Sequence, residues 1–177
     1  MRFDSYLKTL DVKYNFIKKF AKPCNKICGL TIDDLTFLPY KILKKEVPNL
    51  FEEGKFDEAI HLILKHYKKN ITFIRVKLEK NNIKLLFILW VKKQYELINE
   101  TESKYLFNPP DMKLLQAGIR ELDILGDINT IDALAEGDVL KWKEIESLPY
   151  ETVFNKLLKN TIEARINKKL VEINKQK

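Results

Sequence analysis

Apolar residues recur at helical spacing along most of this chain. Phe3, Leu7, Leu10, Tyr14, Ile17 and Ala21 form a 4-3-4-3-4 series, which predicts an amphipathic helical arm over 1–22, stopped by Pro23. Asp33 and Asp34 precede a short predicted helix that ends before Pro39. Tyr40 then opens a helix expected to end near Pro48, since proline lacks the N–H that an interior helical position needs. The stretch "NLFEEGKFDEAIHLILKHY" (49–67) predicts a helix end, a corner at Gly54 and a new helix from Phe56.

"ITFIRVKLEKNNIKLLFILWV" is ambiguous by pattern. Its β-branched and aromatic residues around Asn81-Asn82 are compatible with a hairpin. The series Leu85, Leu89, Lys92/Lys93 and Glu96 instead runs on into "KKQYELINETESKYL", so we read helix over 83–105, with 71–80 leaning helical. Asn108-Pro109-Pro110-Asp111 breaks the chain. One helix is then expected through "MKLLQAGIRELDIL", ending at Gly126. "INTIDALAEG" predicts a short helix closed by Gly137, and Asp138 begins another that reaches Ser147.

From Pro149 a single long helix runs toward the C-terminus, with Phe154, Leu158, Ile162, Ile166, Leu170 and Ile173 along one side. About 25 residues at 1.5 Å each reach roughly 37 Å. After Asn160 the apolar residues occupy one narrow face among Lys and Asn, so Ile162, Ile166, Leu170 and Ile173 are the candidate interaction ridge. The expected fold class is therefore all-α. It comprises an irregular multi-helix domain over 1–148 and a long C-terminal helix over 149–177.

Leu-Pro-Tyr occurs twice, at Leu38-Pro39-Tyr40 and Leu148-Pro149-Tyr150. The match extends upstream, since Ile32 and Leu35 stand where Trp142 and Ile145 stand before the second copy. The residue before proline avoids the α region, and proline suits the first helical position. Each copy is thus read as a joint between a short helix and the next one. Leu packs beneath it and Tyr covers it; in the carboxyl half, Trp142, Leu148 and Tyr150 are expected to form the packed joint.

Composition narrows the function classes. Hydrophobic residues make up 45% of 177, enough for a packed core. The longest apolar run, Leu85–Val91, is closed by Lys92-Lys93 and is too short to span ~30 Å of hydrocarbon. No targeting segment is visible at the start, so a soluble, cytosolic chain with no membrane partner is expected. Charge is uneven: net +5 over 1–50, +3 over 51–100, −5 over 101–150 and +4 over 151–177. An acidic block between basic ones differs from the continuous positive face of a nucleic-acid domain. It suits association of unlike patches on neighbouring copies.

Chemistry-bearing residues are few. Cys24-x3-Cys28 and His61-x4-His66 have gaps within zinc-finger ranges, but the pairs lie about thirty residues apart where a finger has about a dozen. His61 and His66 also point about 140° apart on a helix. Two reduced thiols and two solvated imidazoles are the expectation, with no metal and no cofactor. There is no Gly-rich phosphate loop, no Gly-x-Ser-x-Gly and no His-Glu-x-x-His, so no enzyme is expected.

Two resemblances remain. Residues 49–67 resemble the middle of a tetratricopeptide repeat, although no second copy follows at its spacing of about 34. Over roughly 85–158 the chain sets out Trp90 before an acidic–aromatic helix, Pro109-Pro110-Asp111, Ala117-Gly118-Ile119, Leu125-Gly126-Asp127, Gly137-Asp138, Trp142 and Leu148-Pro149-Tyr150. In this order it resembles small structural proteins of tailed phages of gut Bacteroidetes, the crAss-like phages included. The resemblance implies a multi-copy virion component near the portal and tail, a ring or connector assembled in the host cytoplasm. Its implied partners are further copies of itself, the portal and neighbouring ring proteins. The alternatives are a basic helical nucleic-acid-associated or packaging protein and a tail assembly chaperone or adaptor.

Overall fold

The computed structural model describes residues 21–110 and 112–175; the Phe3–Ile17 stripe, and with it the expected N-terminal arm, lies outside them. The fold is all-α with a long C-terminal helix, as the periodicity predicts. The chain divides into two compact units, 1–98 and 99–177. The expected boundary at 148/149 falls inside the second.

Among its described residues, the first unit begins with a hairpin that the hydrophobic pattern did not announce. Strands β1 (Lys26–Ile27) and β2 (Leu30–Thr31) pair antiparallel, Lys26 opposite Thr31 and Ile27 opposite Leu30. Cys28 and Gly29 form the turn with φ of 51° and 75°, the positive values that a tight two-residue hairpin requires at both positions. The helix expected after Asp33-Asp34 is only a single turn. The Asp34 carboxylate accepts from the Thr36 N–H at 2.8 Å and the Thr36 hydroxyl at 2.7 Å, a local bond set that competes with helix.

The helix begun at Tyr40 does not end at Pro48. It widens into a π turn over Ile42–Glu46, where the Val47 N–H reaches the Ile42 carbonyl, and continues as α1 (Val47–Glu52) with Pro48 in its first turn. The wider i→i−5 turn accommodates a residue that has no N–H to give. After Gly54, α2 (Phe56–Tyr67) buries Phe56, Ala59, Ile60, Ile63 and Leu64, one apolar stripe at three-four spacing. It packs against α1 and against α3 (Phe73–Leu78). The ambiguous stretch is therefore helical: α3, then α4 (Asn81–Tyr105), which buries Leu85, Phe87, Ile88, Trp90, Val91, Tyr95 and Ile98. With Ile32, Leu35, Leu38 and Leu43 also buried, this unit holds a continuous apolar core, each such side chain contributing roughly 1.5–3 kcal/mol.

The second unit is built from shorter pieces. In order they are α5 (Met112–Gln116), a 3-10 helix (Ile119–Leu125), α6 (Asp127–Leu134), a 3-10 turn (Val139–Lys141), α7 (Trp142–Ser147) and α8 (Tyr150–Lys175). The single helix expected over 112–125 is broken at Gly118, whose φ of 85° leaves the right-handed region. Past α6 the Gly137 N–H returns to the Asp132 carbonyl at 3.0 Å, the helix end expected there. Among its described residues only Ile131, Ala135, Tyr150 and Val153 are buried.

Candidate interaction surface

The two Leu-Pro-Tyr segments have the same local structure. Leu38 donates its N–H to the Leu35 carbonyl at 3.0 Å, and Leu148 donates to Ile145 at 3.2 Å. The Pro39 carbonyl accepts from Leu43 at 3.0 Å, and Pro149 from Val153 at 3.2 Å. Each proline thus supplies the first helical acceptor and each tyrosine is the first helical residue, as expected at Tyr40 and one position later than the start expected at Pro149. Burial separates the copies. Leu38, Tyr40 and Tyr150 are buried, whereas Leu148 is only half-buried and Pro149 is exposed. Trp142, expected in a packed joint, is half-buried too, its indole N–H turned to the Asp132 carboxylate at 3.1 Å.

Tyr150 fixes the start of α8. Its hydroxyl donates to Glu102 Oε1 at 2.7 Å and its ring stacks on Phe154. Farther along, Arg165 Nη2 donates to the carbonyls of Tyr105 at 3.1 Å and Phe107 at 2.7 Å. Those carbonyls lie at and just past the C-terminal end of α4, where helical acceptors run out of N–H partners. Every described residue of α8 beyond Arg165 is exposed, a projection of about 15 Å. Ile166, Leu170 and Ile173 on it are 51%, 51% and 53% exposed, and Ile162, just before Arg165, is 45% exposed.

A second apolar surface escaped the sequence reading. The 3-10 helix Ile119–Leu125 buries none of its residues, and Ile124 is 90% exposed beside exposed Leu122 and Leu125. Glu121 and Asp123 alternate with them. The available signal was an acid–apolar alternation fenced by Gly118 and Gly126, too short to register as a helical stripe.

The Cys and His residues are used separately. Cys28 lies in the hairpin turn, its N–H donating to Glu79 Oε2 at 2.8 Å and its Sγ 3.8 Å from the Arg75 carbonyl. Burial and the Glu79 charge push its thiol above the ordinary range, which disfavours the reactive thiolate. His61 Nε2 meets the Ile71 carbonyl at 3.2 Å and His66 abuts the Tyr67 ring. Among the described residues no group of three or more His, Cys, Asp or Glu is placed to hold a metal ion.

One cleft of about 480 Å³ is lined by residues that include Phe56, Asp57, Phe73, Lys77 and Lys84. Lys84 is buried there with Nζ 2.9 Å from Asp57 Oδ1 and 3.2 Å from the Lys77 carbonyl. Its charge is already matched within the fold. Among the described residues no helix is long and apolar enough to cross a membrane. No protein-family model matches the chain, and neither does any curated protein or solved structure.

Proposed function

We propose that this chain is a multi-copy structural protein of a tailed-phage particle, a ring or connector of the head–tail assembly, working through protein–protein contacts without catalysis. The observation that carries this reading is the exposed ridge of α8. Four large aliphatic side chains stand about half-exposed on a helix that projects past its last anchor at Arg165. A contiguous apolar face of this kind marks a surface meant for a partner. The resemblance over 85–158 supplies the phage setting, and the acidic 101–150 block between basic segments suits a self-associating particle component better than a nucleic-acid domain.

The test is size-exclusion chromatography with light scattering on the purified chain across a salt series. A discrete oligomer that persists as salt rises supports the reading. A monomer at every concentration overturns it. Tight binding to DNA that falls log-linearly with salt would replace it with a packaging role.

A further inference from the structure

We infer that the α8 ridge seats on the acidic 3-10 helix Ile119–Leu125 of a second copy of this chain, in a head-to-tail contact; this rests on the multi-copy reading above. The two surfaces are complementary in composition. At 100° per residue, Ile162, Ile166, Leu170 and Ile173 fall within an arc of about 80°. Lys169, three residues past Ile166 and four before Ile173, borders the same stripe. The donor surface is therefore aliphatic, with Lys169 at one edge and Glu163, already paired with Lys159 at 3.4 Å, at the other.

The receiving segment carries Glu121 and Asp123 against a single cation, Arg120, and so is net negative. Residues of a 3-10 helix eclipse at i and i+3, so Leu122 and Leu125 share one row while Glu121 and Ile124 share the next. Leu122, Ile124 and Leu125 are 50%, 90% and 44% exposed, and none of the segment is buried. Glu121 and Asp123 lie between them, in the one block of the chain with net negative charge, −5 over 101–150, against +4 over 151–177. Apolar side chains match apolar side chains, and Lys169 meets a carboxylate.

The contact joins two different surfaces, so each copy keeps one free ridge and one free receiving segment. Such contacts continue copy by copy and close into a ring when the rotation permits. A ridge packed against its own counterpart would instead stop at a dimer.

The test uses two full-length variants. Ile166→Ser/Leu170→Ser/Ile173→Ser removes the ridge and keeps Arg165; Leu122→Ser/Ile124→Ser/Leu125→Ser removes the receiving segment. The altered residues are exposed, so circular dichroism and melting should match the parent. Each variant alone should run as a monomer at concentrations where the parent is assembled, and an equimolar mixture should give a 1:1 heterodimer and nothing larger. As an independent arm, Lys169→Glu should weaken assembly about tenfold at low salt, with Asp123→Lys in the same chain restoring it. The proposal is overturned if the receiving-segment variant still self-associates, if the mixture stays monomeric, or if the charge swap restores nothing. In those cases an assembled parent leaves the multi-copy reading standing, whereas a monomeric parent removes both.

Discussion

Tyr95 donates its hydroxyl to the backbone carbonyl of Leu43 at 2.6 Å, deep in the first unit. The bond follows from Pro48. In the π turn Val47 reaches back five residues to Ile42, and in that register the next donor, for Leu43, would be the N–H of residue 48. Proline has none, and the phenol of α4 supplies the missing hydrogen. Burial alone pushes the Tyr95 hydroxyl far above its ordinary range, so it remains a donor at every working pH.

Tyr95→Phe therefore strands a buried acceptor and should cost about 1–3 kcal/mol in denaturant unfolding. Pro48→Ala returns an N–H beside Leu43. In that background the cost of Tyr95→Phe should shrink, with a coupling of about 1 kcal/mol in the double-mutant cycle. Equal costs in both backgrounds would show that Pro48 does not create the need.

The two Leu-Pro-Tyr joints should differ in energy despite their common backbone. Leu38→Ala empties a fully buried site and should cost about 2–5 kcal/mol. Leu148→Ala should cost less than half as much. Trp142→Ala should fall below the ~3–5 kcal/mol of a fully buried aromatic. Unfolding midpoints of the three variants rank them directly.

Acid should loosen the hairpin first. Burial works to raise the Glu79 carboxyl, but the N–H groups of Lys80 and Cys28 outweigh it and hold the folded value below the ordinary 4.5. A depressed folded value means the contribution is present above about pH 4.5 and is lost as pH falls through the folded value. Glu79→Gln should accordingly flatten the acid limb of stability against pH, and leave neutral-pH stability lower than the parent's.

Lys84 tests the buried charge. Asp57→Asn leaves an ammonium whose side chain is 11% exposed with the Lys77 carbonyl still accepting from it, and should cost about 2 kcal/mol. Adding Lys84→Met removes the charge that needed matching, so the double variant should recover most of the loss. A double variant weaker than Asp57→Asn would contradict this account.

The long apolar periods were legible in the sequence. The 56–67 stripe, the run from Leu85 to Ile98 and the helix after Pro149 each repeat often enough for one period to win. The misread features are local exceptions that no period encodes. The Cys28-Gly29 turn depends on a cysteine accepting positive φ, which becomes tolerable only once Glu79 and Arg75 bond it. Passage through Pro48 depends on Tyr95, a residue far along the chain. The break at Gly118 was hidden because "MKLLQAGIRELDIL" scans as a single helix whichever conformation its glycine takes. As for the interaction surface, the α8 ridge was readable because partner-facing and core-facing stripes share one spacing. Exposure distinguishes them, and exposure belongs to the fold.

Helix α4 runs unbroken from Asn81 to Tyr105, yet the division between units falls at 98/99, within it. Its inner turns carry Phe87, Trp90, Val91 and Tyr95 in the core, whereas the last turns, from Asn99 on, carry no buried side chain. Amide hydrogens of one helix should thus exchange at two rates, slow up to about Ile98 and fast beyond, because opening free energy follows local burial rather than helical continuity. The carbonyls held by Arg165 lie in the fast part and just past it. Slowed exchange over 99–105 would therefore report, from within the chain, the moment at which a neighbouring molecule steadies α8.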